Sequence, residues 1–354
     1  AALRAKISGF DMVEVHAAHG YLMTNFLSPQ NRRPDWYGGP LVNRMRILLE
    51  VFGNMRQKVG TDFPLSVRLS WTDFEEVDPI PLEETIQVAQ ALEKIGVDII
   101  HVSGGIHQHG DWETSPMYRP RDPHHEATAK IKRALKRIPV IASGSINVPE
   151  IAREIVEEGT ADFVSFGRPL IADPQFPNKL QSGSRKEIRP CIRCLECLDK
   201  GIMVGYITCT VNATTGREGE LLELTPSEKP KKVAVVGGGP GGMEAARVAA
   251  LKGHDVTLFE KNKLGGLLID AAAPDFKKDI GPLIDYHIVQ LGKTGVKVVE
   301  EEVTAKTIQD GKFEAAVVAV GAIALPLPAV PGIDKPSVIS ALDILRGAET
   351  GNNI

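Results

Sequence analysis

Cysteine is scarce in this chain: 354 residues carry four, all of them between Cys191 and Cys209. So small and localised a set argues against a disulfide-built scaffold, and Cys191, Cys194 and Cys197 stand too close together to pair well with one another. Charge of one sign is lacking as well. The formal net charge is -4, and no Lys/Arg-rich tract offers a surface to nucleic acid or to an anionic membrane. No apolar run is long enough to span a bilayer, and residues 1–10, with Arg4 and Lys6 in a helix-like pattern, do not read as a signal peptide. The expected partners therefore include neither nucleic acid nor membrane, and the expected setting is a reducing cytoplasm. What remains is ordinary soluble composition, 43% hydrophobic and 24% charged, over a length suited to about two domains.

The cysteines themselves are the most specific feature. Cys191-x-x-Cys194-x-x-Cys197, followed after eleven residues by Cys209, sets three thiolates at intervals of three residues and brings a fourth from the next segment. Four thiolates suit tetrahedral Zn²⁺. Zinc knuckles, however, usually pair one CxxC with another, whereas three close cysteines and one outlier resemble the ligation of a [4Fe–4S] cluster.

Upstream, residues 11–174 alternate short β-branched runs with amphipathic stretches. Strands are expected at 12–16, 65–70, 98–103, 140–143 and 162–166, with helices at 41–59, 82–95, 127–137 and 148–158. Repeated β/α units imply a parallel sheet, and a TIM (β/α)8 barrel if there are eight. Five are counted here, so the expectation is a partial barrel lacking its first three units, or one completed by another chain. An open doubly wound sheet is the alternative.

In such a barrel the chemistry sits at the carboxyl ends of the strands. Those ends carry His16, His19 and Tyr21; Arg68; His101, His107 and His109; Gly144 and Ser145; and Gly167 and Arg168. The loops after the last two strands of this fold commonly cradle a phosphate through backbone N–H groups. Gly144, Ser145 and Gly167 fit that role, with Arg168 as a fork for phosphate oxygens.

The run His16-Ala-Ala-His19-Gly20-Tyr21-Leu22, then Phe26-Leu-Ser-Pro29, Asn31-Arg-Arg33-Pro-Asp35-Trp-Tyr37-Gly-Gly39 and Asn43-Arg-Met-Arg46, resembles the old yellow enzyme family. With the cysteines it is similar to the iron–sulfur branch of 2,4-dienoyl-CoA reductase, enoate reductases and trimethylamine dehydrogenase. Pro40 and Val42 depart from the family's usual Ser and Glu. The resemblance implies that His16 and His19 hydrogen-bond a substrate carbonyl, that Tyr21 protonates the neighbouring carbon, that Arg68 lies beside the pyrimidine of FMN, and that His107, with His109 as rival, is a second acid. It further implies reduction of the C=C bond of an α,β-unsaturated carbonyl, with electrons entering from NAD(P)H and passing through the cluster. Bile-acid, steroid or bilirubin-type enones are alternative substrates. An amine dehydrogenase, or a cluster-bearing redox subunit without catalysis, is the alternative role.

From 176 to 229 the composition turns irregular and reads as the linker that carries the cluster. At Lys232 a buried strand begins, followed by Gly237-Gly-Gly239-Pro-Gly-Gly242, a helix to Leu251, and a second strand ending at Glu260. A GxGxxG between strand and helix, with an acid at the tip of the next strand, is a dinucleotide-binding arrangement: Gly237 makes the turn, Gly239 lets the pyrophosphate approach, Gly242 allows close packing, and Glu260 takes the ribose hydroxyls. Lys263-Leu-Gly-Gly266 and the run 313–321 resemble flavoprotein reductases, implying FAD, with ADP as alternative. Three parts are therefore expected: 1–175, the carboxyl-terminal part of an FMN barrel; 176–229, a [4Fe–4S] linker; and 230–354, a Rossmann-like FAD/NAD(P)-type domain. A homo-oligomer or a completing chain is the remaining partner expectation.

Overall fold

Five runs of extended chain pair in the order in which they occur. In the computed structural model, which describes residues 1–221, 224–323, 330–333 and 335–350, β1 (Val13–Ala17), β2 (Leu65–Ser70), β3 (Ile99–Ser103), β4 (Val140–Ala142) and β5 (Phe163–Val164) make one parallel sheet of order β1-β2-β3-β4-β5. A doubly wound sheet reverses its direction of growth midway; strictly sequential order is that of a barrel wall. The connecting helices Arg46–Val59, Leu82–Lys94, His125–Ala134 and Pro149–Glu157 bury one apolar face each. Leu48, Phe52, Val88, Leu92, Ile131 and Ile155 form a single core with Val67, Leu69, Ile100, Val102 and Val140.

Because side chains alternate along a strand, that choice of core face sends the other set to the opposite face. Register aligns Glu14 with Ser66, His16 with Arg68 and His101, and Ser70 with Ser103. The face away from the helices is therefore polar. The expected helix 41–59 is two, Leu41–Arg44 and Arg46–Val59, hinged at Met45. Its first turn is pinned by the buried Arg44, which donates to both carboxylate oxygens of Glu84 at 2.7 and 2.8 Å and to Gly39 O at 2.9 Å.

The compact units run Ala1–Arg168 and Pro169–Ile354. In the second, β6 (Lys232–Val236), β7 (Asp255–Glu260), β8 (Lys297–Glu300) and β9 (Ala315–Val318) form a parallel sheet of order β8-β7-β6-β9. Here the order does reverse, and the switch point lies between β6 and β9, where open α/β sheets bind ligands. The helix Pro240–Leu251 leaves that point. A Cβ at Gly242 would stand 1.8 Å from Gly237 O, and one at Gly237, where φ is +107°, would stand 2.3 Å from Ala319 O. These two glycines are required by backbone packing. The helix Gly281–Lys293 and β8 lie outside the sequence expectations. No helix of the described residues is long and apolar enough to cross a membrane.

Candidate active site

The turn after β1 delivers three of the expected residues together. His19 (φ 63°) and Gly20 (φ 76°) both adopt left-handed backbone, a cost of about 1–3 kcal/mol for the histidine. Surrounding bonds hold it: His19 N donates to Ser70 Oγ at 3.1 Å, Ser70 Oγ donates to Gly105 O at 3.2 Å, and His19 bridges to Ile106. This turn sets the His16 and His19 rings 4.9 Å apart and brings the Tyr21 ring to 5.0 Å from His16. Across the mouth, the His107 ring meets Tyr21 edge-on at 4.8 Å.

His109, by contrast, faces Glu75, 3.9 Å from its Oε2. His16, His19, Tyr21 and His107 are thus one cluster, and of the two rivals it is His107 that joins it.

Arg68 lies behind the cluster. Its Nη2 donates to Ser103 Oγ at 3.1 Å, while His19 Nε2 sits 2.7 Å from the same hydroxyl. The Arg68 Nε is buried with no hydrogen-bond partner among the described residues, a donor whose desolvation is costly unless an acceptor arrives. Burial lowers the Arg68 pKa from its usual value, against the pull of Glu14 and Glu113. An orphaned, partly desolvated guanidinium fits an acceptor-rich ring such as the pyrimidine of FMN.

Burial and then the Arg68 charge push His19 down to about 3 and His124 down to about 4; the same two causes lower His16. Unfolded imidazoles titrate near 6.5. Between 6.5 and those depressed values the unfolded chain binds protons that the folded chain refuses, so stability falls as pH is lowered through that window. The melting temperature of this unit is expected to drop as pH falls from about 6.5 to 4, with a shallower slope in His124→Gln. Equal slopes in the two proteins would contradict it.

Residues at the ends of β4 and β5 also converge. Arg168 donates to Ser145 Oγ at 2.5 Å and to Ser115 O at 3.0 Å, and Ser145 Oγ donates to Ser115 O at 2.7 Å. Gly144 has φ +118°, and its close neighbour is the His124 imidazole: a Cβ there would stand 2.7 Å from the ring. A Cβ at Gly104 would stand 2.8 Å from the same ring, and Trp71 Nε1 donates to His124 Nδ1 at 3.0 Å. A Cβ at Gly167 would meet nothing within 4 Å. Sequence reasoning missed His124, Ser103 and Glu113 as parts of this site; only the fold brings them here.

In the second unit a cleft at the switch point is lined by Gly237, Gly239, Glu260, Lys263, Gly266, Asp270 and Arg346. Glu260 stands at the end of β7, its carboxylate accepting from Gly238 N at 2.6 Å and Asn262 N at 2.9 Å. Gly239 has open space where a Cβ would be, leaving the helix N-terminus accessible to a pyrophosphate.

The cysteine segment turns sharply around Cys194, with Arg193 (φ 51°) and Leu195 (φ 63°) both left-handed. Cys194 Sγ lies 3.2 Å from Thr210 Oγ1, beside Cys209. Cys197 falls in the first turn of the helix Glu196–Met203. Among the described residues no three His, Cys, Asp or Glu side chains are arranged to hold a metal ion. Four sulfur donors in one short segment nevertheless match an iron–sulfur cluster in ligand type and number.

Residues 1–187 match the NADH:flavin oxidoreductase / NADH oxidase family, and residues 231–352 match the pyridine nucleotide-disulphide oxidoreductases. A metal reductase of Desulforamulus reducens is 43% identical over all of this chain and 54% of its own length. A cinnamate reductase of Clostridium sporogenes is 36% identical over 96% of this chain and 53% of its own. Among solved structures, a 2-naphthoyl-CoA reductase in complex with 2-naphthoyl-CoA matches 99% of this chain and 54% of its own, with TM-score 0.92 and 34% identity. The chain spans about half the length of the curated relatives it matches.

Proposed function

The chain belongs to the NADH:flavin oxidoreductase / NADH oxidase family, and on that premise we propose that it carries the reducing site of an NAD(P)H-dependent ene-reductase acting on α,β-unsaturated carbonyl compounds of the enoate or enoyl-thioester class. The observation that carries this reading is the single cluster of His16, His19, Tyr21 and His107 in front of Arg68. His16 and His19 would hold the carbonyl oxygen as neutral donors, polarising the C=C bond and stabilising the negative charge that develops on oxygen. Tyr21 would deliver a proton to the α-carbon, with His107 beside it.

FMN, FAD and a [4Fe–4S] cluster, when bound, supply hydride and single-electron transfer. Arg68 would stand beside the flavin pyrimidine, and Gly144, Ser145, Gly167 and Arg168 beside the phosphate. Gly237, Gly239, Gly242 and Glu260 would take the second nucleotide, and Cys191, Cys194, Cys197 and Cys209 the cluster. The domains are read as 1–175, 176–229 and 230–354, working in a reducing cytoplasm. An amine dehydrogenase is disfavoured, because the trimethylamine dehydrogenase branch resembles Tyr-x-x-His at the position where this chain has His16-x-x-His19.

The test is anaerobic purification with iron, sulfide and flavin counts, followed by NADH and NADPH oxidation with cinnamate, enoyl thioesters, a steroid enone and an amine. Four iron atoms per chain and turnover with an unsaturated carbonyl are expected. Turnover with the amine alone would overturn the ene-reductase reading, and zinc in place of iron would overturn the cluster.

A further inference from the structure

Glu113 stands between two of the histidines. One carboxylate oxygen lies 2.9 Å from His107 Nδ1 and the other 3.6 Å from His19 Nδ1. Its own helical turn, Gly110–Glu113, is folded back against the end of β3, where Gly105 (φ +85°) has no room for a side chain: a Cβ would stand 2.7 Å from Glu113 N. Stacking fixes the turn from the outside. The Trp112 ring lies on Phe74 at 4.6 Å and 12° between planes, and the Arg119 guanidinium covers Trp112 at 4.2 Å.

We propose that Glu113 is a positioning residue that fixes the tautomer of His107, so that this ring offers the nitrogen the reaction needs. The proposal deepens the ene-reductase reading and rests on it for its catalytic consequence.

The tautomers follow from which groups can donate. A carboxylate only accepts, so His107 carries its proton on Nδ1, toward Glu113, and turns Nε2 to the remaining space. The His19 tautomer is set from the other side of its ring, by Ser103. A guanidinium only donates, so Ser103 Oγ accepts from Arg68 and keeps its own proton to give to His19 Nε2. His19 then carries its proton on Nδ1. The opposite tautomer would aim the Nδ1 lone pair at a carboxylate. Arg68, Ser103 and His19 thus form one ordered chain, and Glu113 with His107 forms a second, 3.6 Å separating His19 Nδ1 from the Glu113 carboxylate. His19 Nδ1–H is left as the donor to a carbonyl oxygen, and His107 Nε2 as the position that loads and unloads a proton.

Glu113→Gln tests this, because an amide can donate where the carboxylate could not and so permits the wrong tautomer. In ¹⁵N-histidine-labelled protein, His107 and His19 are expected as Nδ1–H tautomers, and Glu113→Gln is expected to shift His107 toward Nε2–H, while Glu113→Asp retains the original form. In turnover, Glu113→Gln is expected to lower kcat by about 10- to 100-fold with KM within about threefold. An Nε2–H tautomer of His107 in the parent protein, or a His107 tautomer indifferent to Glu113→Gln, would overturn the proposal. The NMR readout needs no substrate, so a protein inert toward every enone but with these tautomers would contradict the ene-reductase reading alone. Circular dichroism and melting of each variant separate loss of fold from loss of tautomer.

Discussion

Tyr21→Phe is expected to lower kcat for reduction of an unsaturated carbonyl by about 100- to 10,000-fold, the range for removing a positioned general acid. Oxidation of NAD(P)H with an artificial one-electron acceptor should stay within about twofold of the parent, since that reaction needs no proton at carbon. The expectation is large because the ring is placed on both sides, 5.0 Å from His16 and 4.8 Å from His107, and enters directly from the His19–Gly20 turn. Phe preserves the apolar body of the side chain and both ring contacts, so what is lost is the hydroxyl. Unchanged kcat in Tyr21→Phe would remove Tyr21 as proton donor. A loss of both activities would instead point to disturbed cofactor binding.

The second large effect concerns stability. Arg193, between Cys191 and Cys194, donates from Nε to Asp279 Oδ2 at 2.8 Å, and the two side chains are 4% and 3% exposed. Such a pair contributes little net stability relative to a well-packed apolar pair, yet removing one partner strands a charge out of water and costs about 3–5 kcal/mol. Asp279→Ala is therefore expected to lower the urea midpoint of the second unit strongly. Arg193→Met combined with Asp279→Leu should recover much of the loss. Ile192 packs with Leu283 and Tyr286 of the helix Gly281–Lys293, and the pair joins the cysteine loop to the turn Asp275–Ile280 that leads into that helix. An Asp279→Ala protein with an unaltered midpoint would show that the pair is not desolvated as the structure has it.

The strand-to-strand logic was legible in the sequence because local pattern and tertiary role agree there. The runs ending at Ser70 and Ser103 are apolar on the face that meets the helices, and their polar partners fall on the other face by period alone. The Gly237–Gly242 turn was legible for a different reason, since its glycines answer to backbone contacts within a few residues and to the next strand. Residues whose role depends on distant loops were not. Glu113 reaches His19 only because the loop after β3 folds back on Gly105, and His124 is buried only because Gly104 and Gly144 leave room for its ring. Nothing local marks either.

Gly144 has a cause that the sequence does not show, as its lack of a side chain accommodates the His124 imidazole. The helix Gly281–Lys293 and β8 had signals that could have been used: Pro282 at the first turn, Leu283, Tyr286, His287 and Leu291 at helical spacing, and Val296, Val298 and Val299 after Gly295.

The most direct test of the central claim is a single turnover. The holoprotein, reduced anaerobically with one equivalent of NADH per flavin, is mixed with an enoyl thioester in deuterated water, and flavin absorbance and product are followed together. The expected result is substrate-dependent recovery of oxidised flavin, with a saturated product carrying solvent deuterium at the α-carbon and also at the β-carbon, because electrons passed singly through a cluster leave the hydrogen of NADH behind. Flavin that stays reduced in front of every unsaturated carbonyl would contradict the account.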